Sequence, residues 1–229
     1  VPKMDIPTQS QAASLVREAA KRRIGLKLKN QKQPLSVEIL NDVIAAWLEG
    51  DVVPIWKICL AAVCKTMWMG FLRYQDAKFV WVELIEFYPT HMELLLTQRK
   101  NDMYREGDVV YISRDCDKSV CAVALCEQLI REAKLEGPVN LFQDWDGHVA
   151  RWRPTDASLN GKVISDKKLR DHLRGMISTV TGIDNDLSSK LFGNQSLRAG
   201  GATIAAKKVS FDVWKRHGSW VTDTVPLRY

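Results

Sequence analysis

No apolar run in this 229-residue sequence reaches the ~18 to 20 residues that cross a bilayer, so no membrane-spanning helix is expected. The amino end lacks a cationic stretch followed by an apolar run and a small-residue cleavage site, and the expectation is a soluble intracellular protein. Cysteine is sparse and unpatterned. Cys59, Cys64, Cys116, Cys121 and Cys126 make an odd set with no Cys-x-x-Cys and no matching histidine pair, which argues against a zinc site or a complete disulfide framework. Histidine is rarer still, at four residues, and His91, His148 and His172 are read as surface or core side chains. There is no internal repeat and no low-complexity tract. With 46% apolar and 26% charged residues, the chain is neither a disordered tail nor a fibre.

The sequence does have a lopsided charge. The net charge is +6, with a pI near 9.1. Residues 1–33 hold eight cations (Lys3, Arg17, Lys21, Arg22, Arg23, Lys27, Lys29, Lys32) against Asp5 and Glu18, while the other 196 residues balance at 25 of each sign. An arm that carries the whole excess suits a polyanion, although a solvated basic linker has the same composition. Lys21, Arg22, Arg23, Lys27 and Lys29 are its candidate DNA contacts.

Residues Thr8 to Arg23 have helical composition and spacing, and Pro34 closes the lysine-rich segment that follows. From Pro34 onward the pattern is one compact, mostly helical domain. Helices are predicted over Ser36 to Leu48, over Pro54 to Phe71 (apolar almost all round, hence buried), and from about Ser119 to Leu135. Three more follow: one capped by Ser165 and running to about Thr181, one from Gln195 to Lys208, and one from Phe211 to Arg216. Between Phe79 and Arg114 the period shortens. Val80, Val82 and Leu84, then Met92, Leu94 and Leu96, then Val109 and Tyr111 predict three short strands, with Arg105 to Asp108 as a turn. The expected class is mainly α with a small antiparallel β-sheet. The stretch from Phe142 to Pro154 is irregular, and Trp145, Trp152, Arg151 and Arg153 there could stack on DNA or simply pack a loop.

Four motifs, far apart in sequence, carry candidate chemistry. Arg73 ends an apolar helix with Asp76 three positions on. Lys100 lies in the turn between two predicted strands. Gln195-Ser196-Leu197-Arg198-Ala199-Gly200-Gly201-Ala202-Thr203 opens a helix with an arginine and small residues that permit close packing. His217-Gly218-Ser219-Trp220 is followed nine positions later by Tyr229. Taken singly, a helix-end arginine is usually a solvated charge and a lone tryptophan usually core.

In this order and spacing the motifs resemble the catalytic domain of the tyrosine recombinases, the phage-integrase superfamily. The resemblance covers about residues 34–229, and residues 1–33 look like the end of the preceding helical core-binding domain plus its basic linker. The wording Ser196 to Thr203, the run Arg216 to Trp220 and the turn from Asp102 to Gly107 look most like eukaryotic transposon recombinases of the Crypton and DIRS types, which implies a nuclear location. The family's chain continues past the tyrosine into a further helix, so a record ending at Tyr229 is expected to be truncated.

The resemblance implies attack by a tyrosine hydroxyl on a DNA phosphodiester, giving a 3′-phosphotyrosine and a free 5′-hydroxyl. It implies neither metal nor nucleotide cofactor, double-stranded DNA as partner, and self-association on DNA in a synaptic complex. Tyr229 matches the nucleophile. A phenol is only about one part in a thousand ionised at pH 7, a deficit of roughly 4 kcal/mol that neighbouring cations must offset. Arg73 and Arg198 match the two arginines, whose planar forks suit the non-bridging phosphate oxygens. Trp220 matches the indole or imidazole donor, Lys100 the general acid for the leaving 5′-oxygen, and Asp76 would orient Arg73.

One position departs from the family pattern. Gln195 stands where the family usually has histidine, and an amide can hydrogen-bond a phosphate oxygen but cannot accept the tyrosine proton. His217 is a candidate stand-in. A catalytically weak or inactive DNA-binding protein of the same fold is therefore the alternative, and a type IB topoisomerase, sharing the chemistry, is a third reading that the short catalytic region disfavours.

Overall fold

A computed structural model describes residues 32–97, 107–145 and 163–220. The basic arm contacts expected at Lys21, Arg22, Arg23, Lys27 and Lys29 lie outside these residues, as do Lys100, Tyr229, His148, Arg151, Trp152 and Arg153.

Helix α1 (Val37–Trp47) starts where Ser36 accepts the Ile39 N–H at 3.3 Å, and turns Leu40, Val43, Ile44 and Trp47 inward. Helix α2 (Ile55–Met69) is the central element, with every residue from Ile58 to Trp68 buried, as its all-round apolar sequence predicts. It packs on α1 and on two later helices, α4 (Ala122–Ala133) and α7 (Asn194–Ala205). A single turn, α3 (Tyr74–Ala77), follows it directly.

The sheet has three antiparallel strands in the order β1 (Ile85–Phe87), β2 (His91–Leu96), β3 (Asp108–Ser113). Met92, Leu94 and Leu96 on β2 and Val110 and Ile112 on β3 supply its buried face. One sequence expectation is corrected here. The first strand begins at Ile85, because Val80 to Val82 pair instead with residues 139–141 (Leu141 N–H to Val80 O 2.9 Å, Val82 N–H to Val139 O 2.9 Å) and Val82–Leu84 then form a 3₁₀ turn. The third strand forms where Val109 and Tyr111 predict it, with Val110 and Ile112 inward and Val109 and Tyr111 exposed. The shifted first strand has a simple cause: alternation marks extended backbone without naming its partner.

After α4, helix α5 (Asp166–Thr181) is capped by Ser165, whose hydroxyl accepts the Lys168 N–H at 3.1 Å. It buries Leu169, Leu173 and Ile177 and packs on α1. A helix absent from the sequence expectation, α6 (Asn185–Leu191), comes next. It is too short and polar to show a period, and its one legible signal was Asp184, which caps the N–H groups of Asp186 and Leu187. Helix α8 (Phe211–His217) follows α7. Among the described residues no helix is long and apolar enough to cross a membrane.

Gly200 and Gly201 explain how α7 reaches the centre. A methyl group on Gly200 would fall 1.9 Å from the Leu35 carbonyl oxygen, and one on Gly201 would fall 1.9 Å from the Trp68 carbonyl oxygen. The backbones therefore touch where side chains would ordinarily separate them. The Trp68 indole adds a bond to the Leu35 carbonyl (3.1 Å), and the Leu35 N–H donates to Ser196 (2.9 Å).

Candidate active site

Arg198 is the hub of the described site. It lies one turn into α7 and is 3% exposed, a burial that an arginine tolerates only with its donors engaged. Its Nη1 donates to the Phe71 carbonyl, and its Nη2 donates to the Gly218 carbonyl at 2.9 Å. The guanidinium therefore clamps two chain segments more than a hundred residues apart in sequence. Both turn sharply at the clamp: Phe71 has φ +48° and Ser219, next to Gly218, has φ +47°, left-handed conformations that side chains other than glycine seldom adopt.

Trp220 supplies one wall. The Arg198 Cζ sits 5.1 Å from the indole centroid, in cation–π range. The indole also meets Trp214 edge-on at 5.1 Å and stacks near Phe71 at 6.1 Å, and with Ala202 these rings form a small cluster separate from the main core. Trp214 is fixed in turn by its indole N–H, which donates to the Ala202 carbonyl at 2.9 Å. Gly218 leaves room for this packing, since a Cβ there would lie 2.3 Å from the Trp220 ring.

Asp76 sits beneath the arginine. Its Oδ2 accepts the Arg73 main-chain N–H at 2.8 Å and lies 3.9 Å from Arg198 Nη1. The carboxylate thus holds Arg73, the residue it was expected to orient, through the backbone, and it also faces the guanidinium of Arg198. The cause is the turn of α3: the Asp76 N–H donates back to the Arg73 carbonyl (2.9 Å), which folds the carboxylate under the helix start. Asp76 is 1% exposed, and its Oδ1 has no hydrogen-bond partner among the described residues.

The remaining predicted residues divide. Arg73 is half-buried at the start of α3 and joins the cluster through its main chain. Gln195 is exposed, one turn before Arg198 on α7. His217 places Nε2 2.8 Å from the Met69 carbonyl oxygen and meets Phe71 edge-on at 4.5 Å, so that nitrogen donates to the main chain. Of the other histidines, His172 leans on Trp56 at 5.5 Å, and burial together with Lys168 lowers its pKa. His91 hydrogen-bonds Glu93 at 3.2 Å on the sheet. The cysteines are unpaired and all but Cys116 are buried; burial pushes the Cys126 thiol up to about 12.

Two features escaped the sequence reading. Lys65 is a buried lysine inside α2, with Nζ 2.7 Å from Asn41 Oδ1 and 5.8 Å from the Trp68 ring. Ser219 Oγ donates to Asp108 Oδ2 at the start of β3. Lys65 was legible as a lysine inside a helix predicted to be buried, whereas Ser219 is distinguished only by its contact across the fold.

The arrangement offers a buried guanidinium backed by a carboxylate and an indole, which is suited to hold and neutralise an oxyanion. Neither a protein-family model nor a curated protein matches the chain. Solved structures do resemble it. They include XerH site-specific recombinase bound to palindromic difH substrate (TM-score 0.61, 10% identity, 89% of this chain and 51% of that one). Tn1549 transposon integrase in complex with transposon right end DNA is similar at TM-score 0.58 and 12% identity, over 91% of this chain and 64% of that one. FLP recombinase in a Holliday junction complex is similar at TM-score 0.54 and 10% identity, over 97% of this chain and 55% of that one. The chain spans about half to two-thirds of these proteins, and its fold is that of tyrosine recombinase catalytic domains.

Proposed function

We propose that this chain is the catalytic part of a site-specific recombinase or integrase, acting on double-stranded DNA through a 3′-phosphotyrosine. The observation that carries the reading is Arg198 held between the Phe71 and Gly218 carbonyls over the Trp220 ring, on a fold whose solved neighbours are DNA recombinases. In this reading the Tyr229 hydroxyl attacks phosphorus, and the 5′-oxygen leaves with a proton from Lys100. The bond from phosphorus to the 5′-oxygen breaks as the bond to the phenolic oxygen forms, and a 5′-hydroxyl from another strand reverses the step. Arg73 and Arg198 neutralise the non-bridging oxygens, and Trp220 covers the site and donates its indole N–H to them. The group that takes the phenolic proton is the open part of the set, since Gln195 cannot and His217 Nε2 is directed at Met69.

The wording of the Arg198 and Trp220 motifs supports, as part of this proposal, a source in a mobile element of Crypton or DIRS type, working in the nucleus as a synaptic assembly of several copies. The basic arm would lie along the DNA backbone. Replacing Lys21, Arg22, Arg23, Lys27 and Lys29 by alanine should then flatten the salt dependence of binding by up to about 4 to 5 in log–log slope.

Gln195 favours a second reading, a DNA-binding protein that has lost the reaction. Covalent capture decides between them. The full chain, incubated with a randomised pool of nicked duplexes, should yield a denaturation-resistant adduct that is absent in Tyr229→Phe and reduced at least about 10²-fold in Arg198→Ala. DNA binding without any adduct from wild type, together with adduct formation by Gln195→His, would establish the second reading.

A further inference from the structure

We infer that Asp108 and Ser219 form a positioning pair that fixes the sheet against the Arg198–Trp220 pocket during strand cleavage. The inference rests on the recombinase reading and adds residues that the resemblance does not assign.

The argument starts from how the fold is divided. The buried faces of β2 and β3 belong to the main core, through Met92, Leu94, Leu96, Val110 and Ile112. Phe71, Ala202, Trp214 and Trp220 form their own cluster. Apolar packing is non-directional, whereas directional bonds such as that of His217 Nε2 to the Met69 carbonyl fix one part of the fold against another. The Ser219 hydroxyl, donating to the Asp108 carboxylate, crosses from one to the other. A hydrogen bond to a charged acceptor is the strong kind.

Both ends of the bond sit where a small shift matters. Ser219 lies between Gly218, whose carbonyl accepts from Arg198, and Trp220, whose ring carries the guanidinium. Its backbone is held left-handed by its own N–H, which reaches the Arg216 carbonyl at 2.9 Å, and by the Trp220 N–H to the Lys215 carbonyl at 3.2 Å. Two main-chain bonds thus hold the turn, and its hydroxyl sits between the two groups that contact the guanidinium. Asp108 opens β3 opposite Leu96, the last residue of β2. The bond therefore ties the arginine side of the site to the end of the β2–β3 pair. Ser219 caps the end of α8 with its backbone, which leaves the hydroxyl to make the contact, and a serine and an aspartate 111 positions apart have no local reason to meet.

Two measurements on the full chain test the pair. In protein labelled with 15N-tryptophan, Asp108→Asn and Ser219→Ala should each move the Trp220 indole resonance, assigned by its loss in Trp220→Phe, and the double variant should move it no further than the larger single shift. Ser219→Gly, which relaxes the left-handed backbone while removing the hydroxyl, should act like Ser219→Ala. An unmoved Trp220 resonance, or shifts that add, overturns the pairing whether or not the chain reacts with DNA. On a nicked duplex captured from the randomised pool, each variant should form adduct about ten- to a hundredfold more slowly at saturating duplex. Affinity for that duplex, read by fluorescence anisotropy, should stay within about twofold. Unchanged adduct rates, or rate and affinity lost together, overturn the positioning role. If the wild-type chain captures no duplex, the recombinase reading and the role in cleavage fall together, and the indole shift alone decides whether the pair holds the pocket.

Discussion

The Arg198 guanidinium rests 5.1 Å from the centre of the Trp220 indole, and both side chains are almost fully buried. The ring therefore has two duties, carrying the arginine and completing the cluster with Phe71, Ala202 and Trp214. Truncation should expose both. Trp220→Ala is expected to cost about 3 to 5 kcal/mol in urea unfolding, whereas Trp220→Phe, which keeps most of the packing, should cost clearly less. If Trp220→Ala unfolds at the wild-type midpoint, the cluster does not have the role assigned to it.

The two glycines of α7 should behave oppositely to a third on α5. Gly200→Ala and Gly201→Ala place a methyl group 1.9 Å from a backbone oxygen, which no rotamer change can relieve, so each should destabilise the chain by about 3 kcal/mol or more. Gly175 lies inside α5 with nothing within 4 Å of an added Cβ, so Gly175→Ala should stabilise by about 0.5 to 1 kcal/mol. Thermal unfolding of the three variants side by side checks both directions.

Lys65 supplies a pH signature. Burial lowers its pKa, against the opposing pull of Asp115, Cys121 and Asp117. Because the folded state gives up the proton more readily than the unfolded chain, the unfolded state binds more protons between the two pKa values, and the Lys65 contribution to stability rises with pH through that window. The penalty is fully present below the folded value and gone above about 10.4, the unfolded one. Lys65→Met should then gain on wild type most near neutrality, with the gap closing as the pH approaches 10. A gap that is flat or widens with pH would contradict a buried, desolvated lysine.

Lys100 is tested through its leaving group. If it protonates the departing 5′-oxygen, Lys100→Ala should slow adduct formation by about 10² to 10⁴ on an ordinary nicked duplex. A duplex with sulfur at the bridging 5′ position expels a thiolate that needs no proton, so Lys100→Ala should react with it at close to the wild-type rate. An equal defect on both substrates would remove the general-acid role.

How much of this was legible beforehand follows from what each residue depends on. The periodicity of α1, α2 and α5, and the capping serines Ser36 and Ser165, depend on neighbours within a few positions, and they appear in the chain order expected. The strand beginning at Ile85 and the helix from Asn185 to Leu191 were missed because the first borrows its partner from residues 91–96 and the second has too few apolar positions to show a period. Within the candidate site, Arg73, Asp76, Arg198 and Trp220 were singled out by the resemblance to the tyrosine recombinases, and the fold draws them into one cluster.

The sequence by itself determined which reactive side chains exist, their order, and the helix that carries Gln195 and Arg198, because local spacing and capping act over one or two turns of chain. The tertiary structure alone decided that the Asp76 carboxylate faces Arg198, that Phe71 and Ser219 take left-handed backbones, and that Ser219 reaches Asp108. Each of these depends on groups brought together from distant parts of the chain, where the low dielectric of a buried site strengthens the polar contacts that form.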